Sequence, residues 1–275
     1  VSADQYPDNR KVYVMISIIR LFFATVIVFF FISPVAYGGN NSEMEKELVV
    51  YLKKIQKLST DYRQDGLLEK ENQAFRKKLL DFVKMPSSLS SKYTELKKFM
   101  YISTSKDGEV RAYTWDTELG GTMHFFDTVY QFMGKNGKIY TESEERGKND
   151  PGGILTGIFD VNTEKGKVYL LRSTAILGSS LDYESIRVVE IAENSLQDKK
   201  LIKTESGLTS SIGFEYDFFS IDDSGERPIR LIKYDTATKT IKIPVVVSSQ
   251  KFPYGRVTDR FISYKFNGTF FVRQG

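Results

Sequence analysis

A change of period near residue 99 constrains the fold of this chain more than any other feature. Between Ser42 and Lys98 the apolar residues recur at steps of three and four; from Phe99 to Gly275 they alternate with polar ones and are interrupted by turn residues. The first pattern suits helices that bury one stripe, and the second suits strands. The expected fold class is therefore α+β, with a helical hairpin over 42–98 followed by a mainly antiparallel β domain over 99–275.

Within the helical part, Ser42-Glu43-Met44-Glu45 has the form of a capping box, and Met44, Leu48, Tyr51, Leu52, Ile55 and Leu58 form the apolar stripe behind it. A break at Gln64-Asp65-Gly66 separates this from a second stripe, Leu68, Phe75, Leu79, Phe82 and Val83. That stripe stops at Met85-Pro86, because proline disfavours helix at the residue before it. Leu89, Tyr93 and Leu96 continue at helical spacing and predict either a third short helix over 87–98 or a helical lead into the β part.

Hairpin signals fill the β part. Lys106-Asp107-Gly108 and Gly134-Lys135-Asn136-Gly137 each separate two alternating runs, glycine supplying the positive φ that such turns need. Further strands are expected at 121–133, 154–161, 167–174, 185–192, 212–221, 228–234, 240–247, 260–266 and 269–273, with 185–192 pairing to 200–204. Three hairpins around Ile158, Val188 and Ile232 look alike, a spacing that suits a meander, a partial or small propeller, or a sandwich.

Residues 1–38 read as a leader. Arg20 supplies a short positive region, Leu21 to Ile32 an apolar core, and Ala36-Tyr37-Gly38 small residues at a cleavage site, so the expected start is Met15 with cleavage near Gly38. The alternative is a membrane anchor over 15–37. A chain with no cysteine can enter an oxidising compartment without pairing errors, which favours a bacterial periplasmic or secreted protein. The net charge is +4, and thirteen Lys and Arg against nine Asp and Glu between Ser42 and Lys98 place the basic surplus on the helical part. This is too dilute for a nucleic-acid stripe, and membrane contact is expected only through an uncleaved leader.

The chemistry-bearing residues cluster between Arg111 and Asp127, where the only tryptophan, Trp115, and the only histidine, His124, both lie. Arg111, Tyr113 and Trp115 share one face of a strand. With His124 they make the expected binding face for an envelope protein or a glycan, since aromatic side chains offer contact area at low entropic cost. In the alternative, catalytic reading, Asp116 or Asp127 orients His124 as a general base in a cell-wall or polysaccharide hydrolase. Asp116, Glu118 and Asp127 are also the nominees for a glycosidase carboxylate pair. Thiol catalysis is excluded by the absence of cysteine, and no Gly-x-Ser-x-Gly elbow is present. One histidine cannot build a zinc site of ordinary composition, and neither Asp222-Asp223-Ser224-Gly225 nor Asn149-Asp150-Pro151-Gly152-Gly153 has the alternating ligands of a calcium loop. No metal or cofactor is expected.

The runs Asp107-Gly108-Glu109-Val110-Arg111, Tyr113-Thr114-Trp115-Asp116-Thr117 and Gly120-Gly121-Thr122-Met123-His124-Phe125, with the closing Tyr264 to Phe270, resemble segments of uncharacterised exported bacterial proteins. That resemblance implies export and a β-rich fold and carries no activity. The function expected from the sequence is thus an exported, non-catalytic binding or inhibitory protein.

Overall fold

The computed structural model describes residues 38–61, 65–147, 149–221 and 225–275. Residues 1–37, which hold nearly all of the expected leader, and the run Asp222-Asp223-Ser224 lie outside the described residues. Among the described residues the chain is mostly antiparallel β, with three α-helices and three sheets.

Helices α1 (Gly38–Leu58) and α2 (Asp65–Val83) run in opposite directions, as the ion pairs Lys54 to Glu71 (2.6 Å) and Lys78 to Glu47 (2.8 Å) show. Leu48, Leu52 and Ile55 of the first stripe and Leu68, Phe75, Leu79, Phe82 and Val83 of the second are all buried together. The expected capping box does not form, because α1 begins four residues before Ser42. Glu45 caps something else: its Oε1 accepts the backbone N–H groups of Glu95 and Leu96 (2.9 and 3.0 Å) at the start of a 3₁₀ turn over Leu96–Lys98. The third helix is likewise shorter than expected. Only α3 (Pro86–Leu89) forms, and Tyr93, at φ 51°, breaks the helical path before the 3₁₀ turn.

The first sheet is the meander β1 (Tyr101–Thr104), β2 (Val110–Asp116), β3 (Phe126–Met133) and β4 (Ile139–Ser143). Gly108 and Gly137 take the positive φ that their turns require (73° and 74°). The second sheet contains β5 (Ile154–Thr163), β6 (Gly166–Ile176) and β7 (Leu181–Ala192), with β8 (Ser195–Asp198) paired to β7. The third is built from β9 (Ile202–Thr204), β10 (Gly207–Thr209), β12 (Lys233–Asp235), β13 (Thr240–Val247), β14 (Arg256–Phe266) and β15 (Phe271–Arg273). Between them in sequence, β11 (Ser211–Asp217) returns to the second sheet and pairs with the outer side of β7.

One expected pairing and one expected strand are corrected. Glu193, at φ 50°, and Asn194 make a two-residue turn, so β7 pairs with β8 rather than with 200–204. The segment 200–204 instead supplies β9, whose Ile202 and Lys203 pair in parallel with Phe271 and Val272. The strand expected at 228–234 shrinks to β12, because the N–H groups of Leu231 and Ile232 bond to the Glu184 carboxylate instead of a neighbouring strand.

The layers stack in chain order. Tyr113, Trp115 and Val129 of the first sheet pack against α1 and α2, while Val110, Ala112, Tyr130 and Phe132 on its other face meet Leu155, Ile158, Tyr169 and Leu171 of the second. The far face of the second sheet, with Val168, Leu170, Ile186 and Val188, meets Ile202, Ile241, Ile243, Phe266 and Phe271 of the third. Both faces of the first two sheets are therefore covered, and six of the seven residues of β2 are buried.

Candidate functional site

The structure redistributes the residues expected to bind. Arg111, Tyr113 and Trp115 do share a face, but that face is pressed against the helical layer and all three are buried. The Trp115 indole donates to Asn72 Oδ1 (3.0 Å), and Phe75 stands edge-on to its ring at 4.9 Å. The Tyr113 hydroxyl donates to Gln131 Oε1 (2.7 Å), and burial, reinforced by Tyr93, pushes it well above the usual tyrosine range. Arg111 donates to Thr104 Oγ1 and to the carbonyls of Ser88 and Ser91, tying β1 to α3 and the residues just after it. These three side chains hold layers together and offer nothing to a partner.

Asp127 is a structural carboxylate as well. It is buried, and its oxygens accept from Arg76 of α2 and from Arg146 in the loop after β4. Of the two aspartates expected near the histidine, Asp116 is the one that arrives: its Oδ2 lies 2.5 Å from His124 Nδ1.

The loop 117–125 makes that meeting possible. The N–H and the hydroxyl of Thr117 both donate to the Phe125 carbonyl (2.8 Å each), closing the loop, and Asp116 Oδ1 accepts the Glu118 N–H (2.8 Å). A side chain at Gly120 would begin 1.9 Å from the Met123 carbonyl oxygen, so only glycine permits this turn. The strand expected from Gly121 starts at Phe126 because the His124 N–H is taken by the Ile176 carbonyl of the second sheet (3.0 Å).

In the tautomer whose Nδ1 proton faces Asp116, Nε2 is the acceptor nitrogen of the imidazole. The ring lies parallel to Phe126 at 6.1 Å and is partly open to solvent. Beside it, burial and then the Asp116 charge push the Glu118 carboxyl above its ordinary range, against a smaller lowering by His124. Asp116 and Glu118 border a cavity of about 300 Å³ with Gln56, Lys97, Lys98 and Tyr101.

Four loops meet at this end of the stack. His124 joins the loop 117–125 to the end of β6; the Phe218 N–H donates to the Ser180 carbonyl (2.7 Å); the Asp217 N–H donates to the Gly255 carbonyl (3.1 Å). The Val257 N–H closes the series on Ser220 Oγ (3.1 Å). Along this continuous rim stand Leu119, Met123, Phe219 and Tyr254, with Tyr101 beside Asp116 at the start of β1. These are five of the ten large apolar side chains that are exposed among the described residues, and Phe219, at 62%, is one of the most open. The sequence reading missed this rim. Its one local signal was the adjacent pair Phe218-Phe219: the strand expected over 212–221 ends at Asp217, and the 3₁₀ turn Phe218–Ser220 that follows leaves the first ring half-buried and the second exposed.

Among the described residues, no three His, Asp or Glu side chains are grouped to hold a metal ion, and no helix is long and apolar enough to cross a membrane. Compared with protein-family models, curated proteins and solved structures, the chain matches none of them.

Proposed function

We propose that this is an exported, non-catalytic binding or inhibitory protein that recognises an envelope protein through its loop rim. The observation that carries this reading is the concentration of exposed apolar side chains on loops contributed by all three sheets, with Asp116, Glu118 and His124 as a polar border. Binding residues gather on loops that a rigid scaffold positions, and an apolar centre with a polar border is the anatomy of a protein interface. In this reading the helical hairpin is a brace for the first sheet, and the leader over 1–38 delivers the chain to the periplasm or the exterior.

The test is affinity capture from an envelope extract by the intact chain, alongside a Phe219→Ala/Tyr254→Ala double variant. Both rings are exposed, so the variant should keep its melting temperature while its affinity for the captured protein falls by about tenfold or more. A protein retained equally by both forms would remove the rim from the interface.

A second reading has its own observation, the 2.5 Å contact of Asp116 with His124 beside a cavity bordered by Glu118. It makes the protein a cell-wall or polysaccharide hydrolase in which Asp116 orients His124 as general base. Solubilised cell-wall fragments shortened by the wild type and left intact by His124→Gln would establish it in place of the first; fragments unchanged by both forms exclude it.

A further inference from the structure

Asp182 and Glu184 lie two residues apart on β7 and are fully buried. Alternation puts them on one face, the one that Ile186 turns toward the third sheet. Each carboxylate keeps one oxygen, Asp182 Oδ1 and Glu184 Oε1, without a hydrogen-bond partner. Leaving a buried carboxylate oxygen bare is costly while the group is ionised and much less so once it carries a proton.

Over this pair passes the segment Arg227–Ile232, which has no strand ladder of its own. Its anchors are side chains of the second sheet together with the Ser179 carbonyl, which accepts from Arg227 (2.9 Å). Glu184 Oε2 accepts the N–H groups of Leu231 and Ile232 (2.8 and 3.1 Å), and Asp182 Oδ2 accepts from Arg227 Nε (3.1 Å). From β6, Arg172 donates to the Ile232 carbonyl (2.9 Å) and Thr174 to the Ile229 carbonyl (3.3 Å).

The charges facing the two acids are few. Asp182 meets Arg227, the Tyr216 hydroxyl at 3.5 Å and the field of His124. Glu184 meets Arg230 and Arg172, but Arg172 Nε lies 4.0 Å from Glu184 Oε1 and donates to Thr156 instead. Burial therefore outweighs the cations beside Asp182 and, at Glu184, the Leu231 and Ile232 N–H groups and then the two arginines, raising Asp182 to about 6 and Glu184 to about 7.

We propose that Arg227–Ile232 is a proton-operated latch, held shut while Asp182 and Glu184 are protonated and loosened when they ionise. When the segment lifts, both carboxylates reach water and return to the ordinary acid range. The shut state thus binds more protons than the open one, and raising the pH favours opening. The β6–β7 ladder does not depend on this segment and stays paired. Arg227 also lies over the Phe218 ring at 4.1 Å, so the latch sets the footing of the neighbouring Phe219, although its anchors exist whether or not the rim binds a partner.

Amide hydrogen exchange on the intact chain between pH 5 and pH 8, corrected at each pH for the intrinsic rate, tests this. Protection of the Leu231 and Ile232 amides should fall more than about tenfold from pH 5 to pH 7 while the β6–β7 ladder amides hold. Glu184→Gln, which cannot ionise, should flatten most of that fall. Corrected protection that is level with pH in the wild type, or a fall that persists unchanged in Glu184→Gln, overturns the proposal. Should that variant not fold, carbon-13 titration of the wild-type carboxyls decides: two raised titrations support the latch, and two in the ordinary acid range overturn it.

Discussion

Trp115→Ala is expected to lower the unfolding free energy by about 3 to 5 kcal/mol, the loss associated with deleting a large buried aromatic. Trp115 is fully buried between the first sheet and the helical layer, and Phe75 meets its ring edge-on at 4.9 Å. Removing the indole also takes away the donor that Asn72 Oδ1 accepts from. Asn72 cannot simply turn away, because its Nδ2 is already bound to the Leu68 and Thr117 carbonyls. The midpoint of urea unfolding measures the effect, and a change below about 1 kcal/mol would contradict the burial of this ring. Asn72→Leu makes the complementary case: it leaves the indole N–H and the Thr117 carbonyl unpaired and should cost about 1 to 3 kcal/mol. Any interaction lost in Trp115→Ala therefore reports unfolding and cannot locate a binding face.

That consequence shows where a single sequence stops being readable. The switch near residue 99 was legible because helical and strand periods depend only on neighbours a few positions apart, and Leu48, Ile55, Phe75 and Phe82 sit in the core as their spacing implied. Alternation in β2 correctly separated Arg111, Tyr113 and Trp115 from Val110 and Ala112. It could not say that both faces would be covered, since what lies over a sheet is decided by elements distant in sequence. Tyrosine, tryptophan and arginine suit either fate, being apolar along most of their length with a polar end that Gln131, Asn72 or the Ser88 and Ser91 carbonyls can satisfy. The same ambiguity hid Asp182 and Glu184. Alternating acids on a strand ordinarily mark its wet face, and here they mark a dry one.

The contact between Asp116 and His124 was within reach because Asp116 ends β2 and His124 lies in the short loop that follows it. The rim was not, because Leu119, Phe219 and Tyr254 come from three separate loops that only the stacking of the sheets brings together.

Asp127 lies at the opposite limit, a residue whose role is set entirely by partners far along the chain, and Asp127→Asn is expected to destabilise the protein by about 3 kcal/mol or more. The carboxylate is buried at the start of β3, between Arg76 and Arg146. The two cations are not equivalent. The Arg76 side chain is 40% exposed and can turn to water, whereas that of Arg146 is 13% exposed and would be left as a charge with no counterpart. Most of the cost should therefore come from Arg146. Arg76→Gln should change stability by less than about 1 kcal/mol, as expected for a cation with access to solvent. Arg146→Gln should approach the full effect, because it deprives a buried carboxylate of its enclosed partner. The double variant Asp127→Asn/Arg146→Gln separates this account from simple loss of packing. Removing both charges should recover much of the stability lost in Asp127→Asn, while additive losses would mean that the electrostatic pairing contributes little.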